Sequence, residues 1–245
     1  MAYILEIATS DFESTKNAVA GGADRIELCA NLGEGGTTQS FGVIKKCREQ
    51  FPSTLIYPII RVRGGDFFYT DEEYDCMYQD ALQCKELQCD GVVVGFLKRD
   101  GSIDVERTAR IVEAVHPLKV TFHRAFDRCV DPYRALEQLI EIGCERILTS
   151  GQQLTAPEGV ELIAELNRIA AGRIIIMPGS GVRAENVATL AQKTGCREFH
   201  TSLRELQHSK MDFFPKAFAD STENNHYSVN TSSVRQLKDL LNSLS

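Results

Sequence analysis

The sequence predicts an α/β protein built as a single (β/α)₈ barrel with parallel strands, which spans residues 1–245 as one domain. Eight short apolar segments occur along the chain, and each but the last is followed promptly by a helical pattern. They recur about every 25 to 35 residues, which is the size of one βα unit. No linker or change in composition divides the 245 residues, and that length is usual for one such barrel.

Strict alternation of strand and helix requires a parallel sheet, because two parallel neighbours need a crossover between them. Eight units fit a closed barrel better than the alternative, an open doubly wound sheet. The predicted strands cover residues 3–8, 25–29, 55–62, 91–97, 120–122, 146–150, 173–177 and 198–202. The fourth, GVVVGFL, is nearly all apolar, as expected of a strand that is buried on both faces.

The predicted helices are delimited by capping residues, prolines and glycines. They cover residues 10–20, 40–50, 70–87, 104–116, 131–142, 157–171, 184–194 and 232–241. Thr70 and Glu73 have the spacing of a capping box. Asp131 is placed to cap the fifth helix, with Pro132 at its first position and Gly143 just after its end.

One polar stretch, residues 203–228, has no clear period and lies before the last helix. It could form a lid over the barrel mouth, a dimer arm or a disordered segment. Its aromatic residues Phe213, Phe214 and Phe218 favour packing over disorder.

Composition restricts the partners and the location. A net charge of −7 and a pI near 5.3 argue against nucleic acid or an anionic membrane as the main partner, although local arginines could still bind a small anion. No apolar run approaches the roughly 20 residues that cross a bilayer. The first residues read as a strand without a basic leader, so we expect no signal peptide and a cytoplasmic protein.

Eight cysteines occur, and none forms a C-x-x-C pair. In a chain of this length without an export signal we expect free thiols, most of them small buried residues.

Ionisable and hydroxyl side chains collect at the predicted C-terminal strand ends, where barrels of this type carry their sites. They are Glu6, Glu27, Cys29, Arg61, Arg63, Asp66, His123, Arg124, Asp127, Thr149, Ser150, His200 and Ser202. Charged residues are rarely buried unless paired, so inward Glu6, Glu27, Arg61 and His123 would need one another or a ligand. A buried ion network without chemistry is the alternative.

The stretch KVTFHRAFD, residues 119–127, carries the densest group of these side chains. Because successive strand residues alternate sides, His123 and Arg124 cannot both point into the barrel. We expect His123 to face Glu6 and Glu27 for acid/base work and Arg124 to pair with Asp127 at the rim. A purely structural histidine is the alternative.

Two further kinds of site are considered. The turn PGSGV, with Gly179, Ser180 and Gly181, follows strand seven, where small residues let backbone N–H groups face a phosphate. Any tight βα turn can look the same. A divalent metal site from Glu6, Glu27 and His123 is also open, since carboxylate and imidazole suit such ions while cysteine suits Cu(I).

Seven motifs are spread along the chain from residue 21 to residue 202. They are GGADRIELCANLGEGGTTQS, RVRGGDFFYTDEE, DGVVVGFLKRDGSID, VTFHRAFD, RILTSG, MPGSGV and EFHTS. In this combination the sequence resembles the CutC family of copper homeostasis proteins, over about residues 3 to 205. The resemblance implies a TIM-type barrel, a cytoplasmic location, a homo-oligomer (dimer or tetramer) and a role in copper tolerance with Cu(I) binding.

Eleven site candidates fall on the family's motifs: Glu6, Arg25, Glu27, Arg61, Arg63, Asp66, His123, Arg124, Asp127, Ser150 and His200. Cys29 also matches, in RIELC, and would be the ligand if copper is held by a thiolate. The chain departs from the usual pattern at Val62, where many members have Pro, and at Ser180, where Gly is usual. Ser180 either adds a hydroxyl to an anion site or narrows it.

Two functions of different classes follow. The first is non-enzymatic copper handling, with Cys29 as soft ligand. The second is an enzyme on a small phosphorylated or carboxylated substrate. In it, Arg61, Arg63 or Arg124 would hold the anion while Glu6, Glu27 or His123 exchange protons. A barrel with a structural or regulatory role only is the third alternative.

Overall fold

The computed structural model describes residues 2–219 and 221–244, so Met1, Asp220 and Ser245 of the predicted domain lie outside the described residues. Eight parallel strands follow the predicted order. They are β1 (Ile4–Thr9), β2 (Arg25–Leu28), β3 (Leu55–Pro58), β4 (Gly91–Val94), β5 (Lys119–Phe122), β6 (Arg146–Thr149), β7 (Ile175–Pro178) and β8 (Glu198–Thr201).

The strands close into a barrel. Hydrogen-bonded ladders join β3, β2, β1 and β8 in one series and β4, β5, β6 and β7 in another. A parallel bridge between Ile59 and Val93 links β3 to β4, and β7 lies beside β8. The (β/α)₈ prediction is confirmed, and the open doubly wound sheet is excluded.

Eight helices surround the strands: α1 (Phe12–Gly21), α2 (Phe41–Gln50), α3 (Asp71–Glu86), α4 (Val105–Val115), α5 (Pro132–Ile142), α6 (Val160–Ala170), α7 (Val187–Thr194) and α8 (Thr231–Ser243). The last helix completes the ring by packing on α1 and α7. Among the described residues, no helix has both the length and the apolar character that crossing a membrane requires.

The predicted caps hold at α3 and α5. Thr70 and Glu73 form both hydrogen bonds of the capping box, and Asp131 accepts the backbone N–H groups of Tyr133 and Arg134. At α1 the cap is Asp11 rather than Ser10, since the Asp11 carboxylate reaches the Ser14 N–H at 2.7 Å.

Several boundaries differ from the prediction because loops take residues that the pattern assigned to regular structure. β3 ends at Pro58, and residues 59–62 turn into the following loop. α6 begins at Val160 rather than at residue 157, and α7 at Val187 rather than at residue 184. Each of these two helices is preceded by a run of turn residues.

The stretch 203–228 contains an antiparallel hairpin of β9 (Arg204–His208) and β10 (Asn225–Val229). The described part of the stretch therefore contains regular structure, and two of its three phenylalanines, Phe213 and Phe218, are 72% and 54% exposed in the single chain. β9 is exposed along its whole length, so the hairpin projects from the barrel.

The main apolar core lies between the strands and the helices. A second, small apolar cluster is formed by Cys29, Tyr57, Ile59 and Val93, with Leu32 packed against it. Most of the remaining interior is polar and charged, and this places ionisable groups directly beneath the mouth.

Candidate functional site

A cavity of about 830 Å³ opens at the C-terminal ends of the strands. Nine of the predicted site residues line it: Glu27, Arg61, Asp66, His123, Arg124, Ser180, Gly181, His200 and Ser202. The remaining predicted residues lie behind the wall or on the rim. They are Glu6, Arg25, Cys29, Arg63, Asp127, Ser150 and Gly179.

A histidine and two glutamates form the polar wall of the cavity. His200 Nδ1 lies 2.7 Å from Glu6 Oε1, and His200 Nε2 lies 3.9 Å from Glu27 Oε2. The three groups offer one ligand atom each within 4.8 Å of one another. The Glu27 carboxyl group makes no hydrogen bond with the described residues and lines the cavity, so it can meet a ligand.

The charges of this wall are strongly coupled. Burial, reinforced by the negative charge of Glu6, raises the pKa of Glu27 to about 7. Burial also disfavours a charged His200, but Glu27 and Glu6 outweigh it and raise the histidine's pKa. Burial acts against a charged Glu6 too, yet Arg25 and His200 hold the pKa of that carboxyl far below its usual range.

Beneath this wall lies an ion network that the sequence did not predict as a unit. Arg25 bridges Glu6 and Glu198, and Arg146 Nε donates to Glu198 at 2.6 Å. Arg146 also reaches the Thr121 hydroxyl at 3.2 Å. The strands dictate this arrangement, because Glu6 pairs with Arg25 across the β1–β2 ladder and with His200 across the β1–β8 ladder. Arg25 is therefore a structural cation, not one that faces the cavity.

Among the described residues, no hydrogen bond or ion pair joins His123 to Glu6 or Glu27. His123 faces inward and lines the cavity, but its ring lies against Phe67, at 5.0 Å between centroids. The histidine beside Glu6 is His200. The reason is topological, since β8 is the neighbour of β1 whereas β5 stands across the barrel.

Arg61 is buried and largely committed to the protein. Its guanidinium donates to the backbone oxygens of Glu34, Gly36 and Gly65 and lies 4.8 Å from the Phe67 ring centroid. It thereby fixes the loops after β2 and β3 while still lining the cavity.

The neighbouring Arg63 does not line the cavity. It pairs with Glu73 at 2.6 Å and with Asp66 at 3.2 Å, and its guanidinium lies over the Tyr69 ring. It ties the loop after β3 to the start of α3. Asp66 is the exposed member of this group and lies at the cavity edge.

Asp127 organises the rim rather than the cavity. Its buried carboxylate accepts from Arg124 Nε at 2.8 Å, from the Ser150 N–H and hydroxyl, from the Thr149 hydroxyl and from the Gln152 N–H. The expected pairing of Arg124 with Asp127 is thus present. Ser150 is fully buried within the network.

The turn PGSGV is a tight junction as well as a cavity wall. Ser180 and Gly181 have φ values of 72° and 73°, and the Ser180 hydroxyl donates to the Leu154 carbonyl at 2.8 Å. That hydroxyl therefore joins two loops rather than pointing at an anion. Gly179 packs close to Leu148 and His200, where a Cβ atom would overlap Leu148.

Cys29 is fully buried in the small interior cluster, and its Sγ donates to the Thr9 carbonyl at 3.4 Å. Burial raises the pKa of the thiol well above its usual value. Its cluster neighbours Tyr57, Ile59 and Val93 offer no soft ligand. All eight cysteines are free thiols, as predicted, and Cys76 is the exposed one.

Four charged residues of the cavity were missed: Glu34, Arg128, Arg183 and Arg204. Glu34, Arg128 and Arg183 lie in segments that leave a strand's C-terminal end, several positions beyond the strand, and Arg204 is the first residue of β9. Their position after the strand ends was the signal that could have identified them as cavity residues. The prediction instead gave most weight to the first residues after each strand. Together with Arg61 and Arg124, the missed arginines make the cavity rich in cations despite the acidic chain.

Comparison with known proteins agrees with this fold and extends it. The family model described as CutC family matches residues 3–205. A Parabacteroides distasonis protein named CutC is 54% identical over 213 residues, covering 87% of this chain and 88% of its own length. A Bacteroides fragilis protein of the same name is 44% identical over 244 residues, covering 99% and 97%.

Solved structures are similar as well. A Streptococcus agalactiae CutC protein, named for copper homeostasis, superposes with a TM-score of 0.76 at 35% identity, over 81% of this chain and 97% of its own. Thiamine phosphate pyrophosphorylase from Pyrococcus furiosus, at 14% identity and a TM-score of 0.62, shares the fold alone. The match to the family model and the identities of the relatives together show that this chain belongs to the CutC family.

Proposed function

We propose that this barrel is an enzyme that acts on a small phosphorylated or carboxylated substrate by acid/base chemistry. One observation carries the proposal: the Glu27 carboxyl group, which has His200 beside it at 3.9 Å and no hydrogen bond to the described residues, opens into a cavity lined by arginines. A barrel mouth closed by ion pairs between its own side chains would have argued against an enzyme. The cavity volume of about 830 Å³ is instead large enough for a metabolite.

Glu27 is suited to move a proton. With a pKa of about 7, both its ionised and its neutral form are populated near neutral pH, which favours general base and general acid catalysis. His200 stabilises the ionised form from 3.9 Å. Glu6 holds His200 through Nδ1, so that Nε2 faces Glu27. We assign proton transfer to Glu27 and a supporting role to His200, with Glu6 as the group that orients it.

The arginines supply the complementary charge. Arg124 and Arg128 follow β5, Arg183 follows β7 and Arg204 begins β9, and all four line the cavity. Guanidinium groups bind phosphate and carboxylate with paired hydrogen bonds. The loops after strands seven and eight are also where barrels of this type most often hold phosphate.

The test uses solvent deuterium. Phosphorylated and carboxylated metabolites are incubated with the protein in D₂O, and incorporation at carbon is followed by NMR. We expect exchange in at least one compound, its loss in Glu27→Gln, and weaker binding of inorganic phosphate in Arg204→Ala. Exchange that persists in Glu27→Gln, or an absence of both exchange and phosphate binding, would contradict the proposal.

Copper handling is the second candidate, and the cluster of Glu6, Glu27 and His200 favours it. Carboxylate and imidazole donors fit a borderline divalent ion such as Cu(II), whereas Cu(I) prefers thiolates. The surroundings of Cys29 do not fit Cu(I). Titration with Cu(II), and with Cu(I) under anaerobic conditions, separates the two sites. Weaker Cu(II) binding in Glu27→Gln but not in Cys29→Ser supports the cluster, and the reverse result supports the thiol.

We also propose a cytoplasmic homo-oligomer, a dimer or a tetramer. Eight free thiols suit a reducing compartment. The projecting hairpin segment exposes Leu206, Met211, Phe213 and Tyr227, and a cluster of large apolar side chains on a projecting segment is typical of an interaction surface. Light scattering on the wild type and on a Leu206→Glu, Tyr227→Glu double variant tests this, since a monomeric wild type would contradict it.

A further inference from the structure

His123 lies at the end of β5 on the side of the cavity opposite β1. Its ring is 4% exposed and lines the cavity. Gly95, which follows β4, makes room for it: a Cβ atom at position 95 would overlap Cε1 and Nδ1 of the imidazole. The ring is therefore held between the Gly95 backbone and the Phe67 ring.

The hydrogen bonds fix the orientation of the ring and its tautomer. His123 Nδ1 accepts the backbone N–H of Ala125 at 3.1 Å. In the neutral imidazole the proton must then sit on Nε2. Among the described residues, Nε2 has no hydrogen-bond partner although it is buried. A buried donor without an acceptor costs free energy, and a ligand oxygen would remove that cost.

The imidazole is also kept uncharged. Burial, together with the positive charge of Arg61, lowers the pKa of His123 to about 3. Acting as a base through Nε2 would require the ring to give up its bond with Ala125. His123 is therefore a poor proton acceptor at neutral pH and a well-oriented neutral donor.

We propose that His123 donates its Nε2–H to a carbonyl or hydroxyl oxygen of the substrate and thereby sets specificity for it. This inference rests on the proposed acid/base function, and it names the substrate class: a small anion that carries such an oxygen next to an acidic C–H bond. Glu27 and His123 line the same cavity, on strands that are not neighbours in the barrel.

For a 2-oxo acid the step balances without a redox partner. The C–H bond beside the carbonyl breaks, and its proton passes to the Glu27 carboxylate. The electron pair of that bond forms a C=C bond, and the carbonyl oxygen becomes an enolate oxygen that accepts the His123 Nε2–H. Return of the proton from Glu27 to the same carbon restores the carbonyl group and leaves Glu27 in its starting state. The neutral Nε2–H of His123 is fixed in place and stabilises the negative charge that develops on the enolate oxygen.

The test compares two probes that differ in one oxygen, 2-oxoglutarate and glutarate, by calorimetry. We expect the wild type to bind 2-oxoglutarate about tenfold or more tightly than glutarate. His123→Phe keeps the ring but lacks the donor, so it should bind both acids alike, with unchanged affinity for glutarate. His123→Gln retains an N–H donor and should keep part of the preference.

A second measurement does not depend on the variants folding. In ¹⁵N-histidine-labelled wild type, the His123 imidazole should stay in the Nε2–H tautomer from pH 5 to pH 8. A tenfold preference that survives in His123→Phe, or a ring that titrates near pH 6.5, would overturn the role of His123 alone. If neither acid binds the wild type, the proposed anion site fails, and this inference fails with it.

Discussion

The His200 Nδ1 atom lies 2.7 Å from Glu6 Oε1, in the hydrogen-bonded centre of the candidate site. This contact follows directly from strand register, because His200 stands opposite Glu6 in the parallel ladder of β8 and β1. It turns the second imidazole nitrogen toward Glu27, at 3.9 Å. Protonation of His200 or of Glu27 therefore changes the pKa of the other group, and the two groups titrate as a linked pair.

Replacement of Glu27 by Gln should stabilise the protein at alkaline pH. The pKa of Glu27 is raised from its ordinary 4.5 to about 7 in the folded state. The stabilising contribution of its neutral form is present below about pH 4.5 and is lost as pH rises through 7. Glutamine stays neutral, so at pH 8 the variant should be more stable by about 1 to 3 kcal/mol. Urea unfolding at pH 4.5 and pH 8 measures the difference.

Glu13→Gln is the matched control, since Glu13 lies on the surface in a pair with Lys16. It should change the free energy of unfolding by less than about 0.5 kcal/mol at either pH. Equal destabilisation of Glu27→Gln at both pH values would show that the carboxyl group is not held in its neutral form.

Replacement of Glu6 by Gln should lower the free energy of unfolding, the opposite of the effect expected for Glu27→Gln. The variant leaves Arg25 with Glu198 alone in a buried network, and breaking such a pair costs about 3 to 5 kcal/mol. The pKa of Glu6 is lowered on folding, so its contribution is present above about pH 4.5 and is lost as pH falls. The wild type should therefore lose stability in acid, and the variant should lose less of it.

Chemical unfolding between pH 3 and pH 8 measures both effects. Glu49→Gln, at a surface pair with Lys45, is the control and should follow the wild type. If the free energy of unfolding depends on pH in the same way for Glu6→Gln as for the wild type, the neighbours of Glu6 do not lower its pKa.

The fold could be predicted because its determinants are local. Short segments of sequence determine the alternation of strands and helices, the capping box of α3 and the cap at Asp131. The candidate site depends on which strands become neighbours around the barrel. Alternation alone placed His123 inward, but only the closure that sets β8 beside β1 selects His200 as the partner of Glu6.

The rim shows the same limit. Arg128, Arg183 and Arg204 line the cavity although they lie several positions beyond the barrel strands, and no period in the sequence predicts that placement. Arg63 carries the same charge in a strong motif, yet it is turned outward by Glu73. Residue type and distance from a strand end therefore predict the composition of the mouth better than the direction of each side chain.

Asp127→Asn should loosen the rim. The carboxylate accepts several buried donors, and an amide would turn an N–H₂ group toward some of them. We expect a loss of about 2 to 4 kcal/mol and faster amide hydrogen exchange in residues 149–153. Asp66→Asn, at an exposed side chain, is the control and should change neither quantity. Unchanged exchange in that loop would show that Asp127 does not hold it.

Gly95→Ala tests the seat of His123 without altering the histidine. The added Cβ atom would overlap the imidazole and would lie 2.7 Å from the Ala125 Cβ, so the ring must move and its bond to the Ala125 N–H must lengthen. We expect a loss of about 1 to 3 kcal/mol, as for other overpacked sites, and a loss of the preference for 2-oxoglutarate over glutarate. Gly42→Ala is the matched control, because nothing lies within 4 Å of its added Cβ and alanine favours the helix. If Gly95→Ala is destabilised but keeps the preference for 2-oxoglutarate, the His123 donor acts from more than one ring position. If both Gly95→Ala and His123→Phe lose the preference, recognition depends on the fixed orientation of the imidazole.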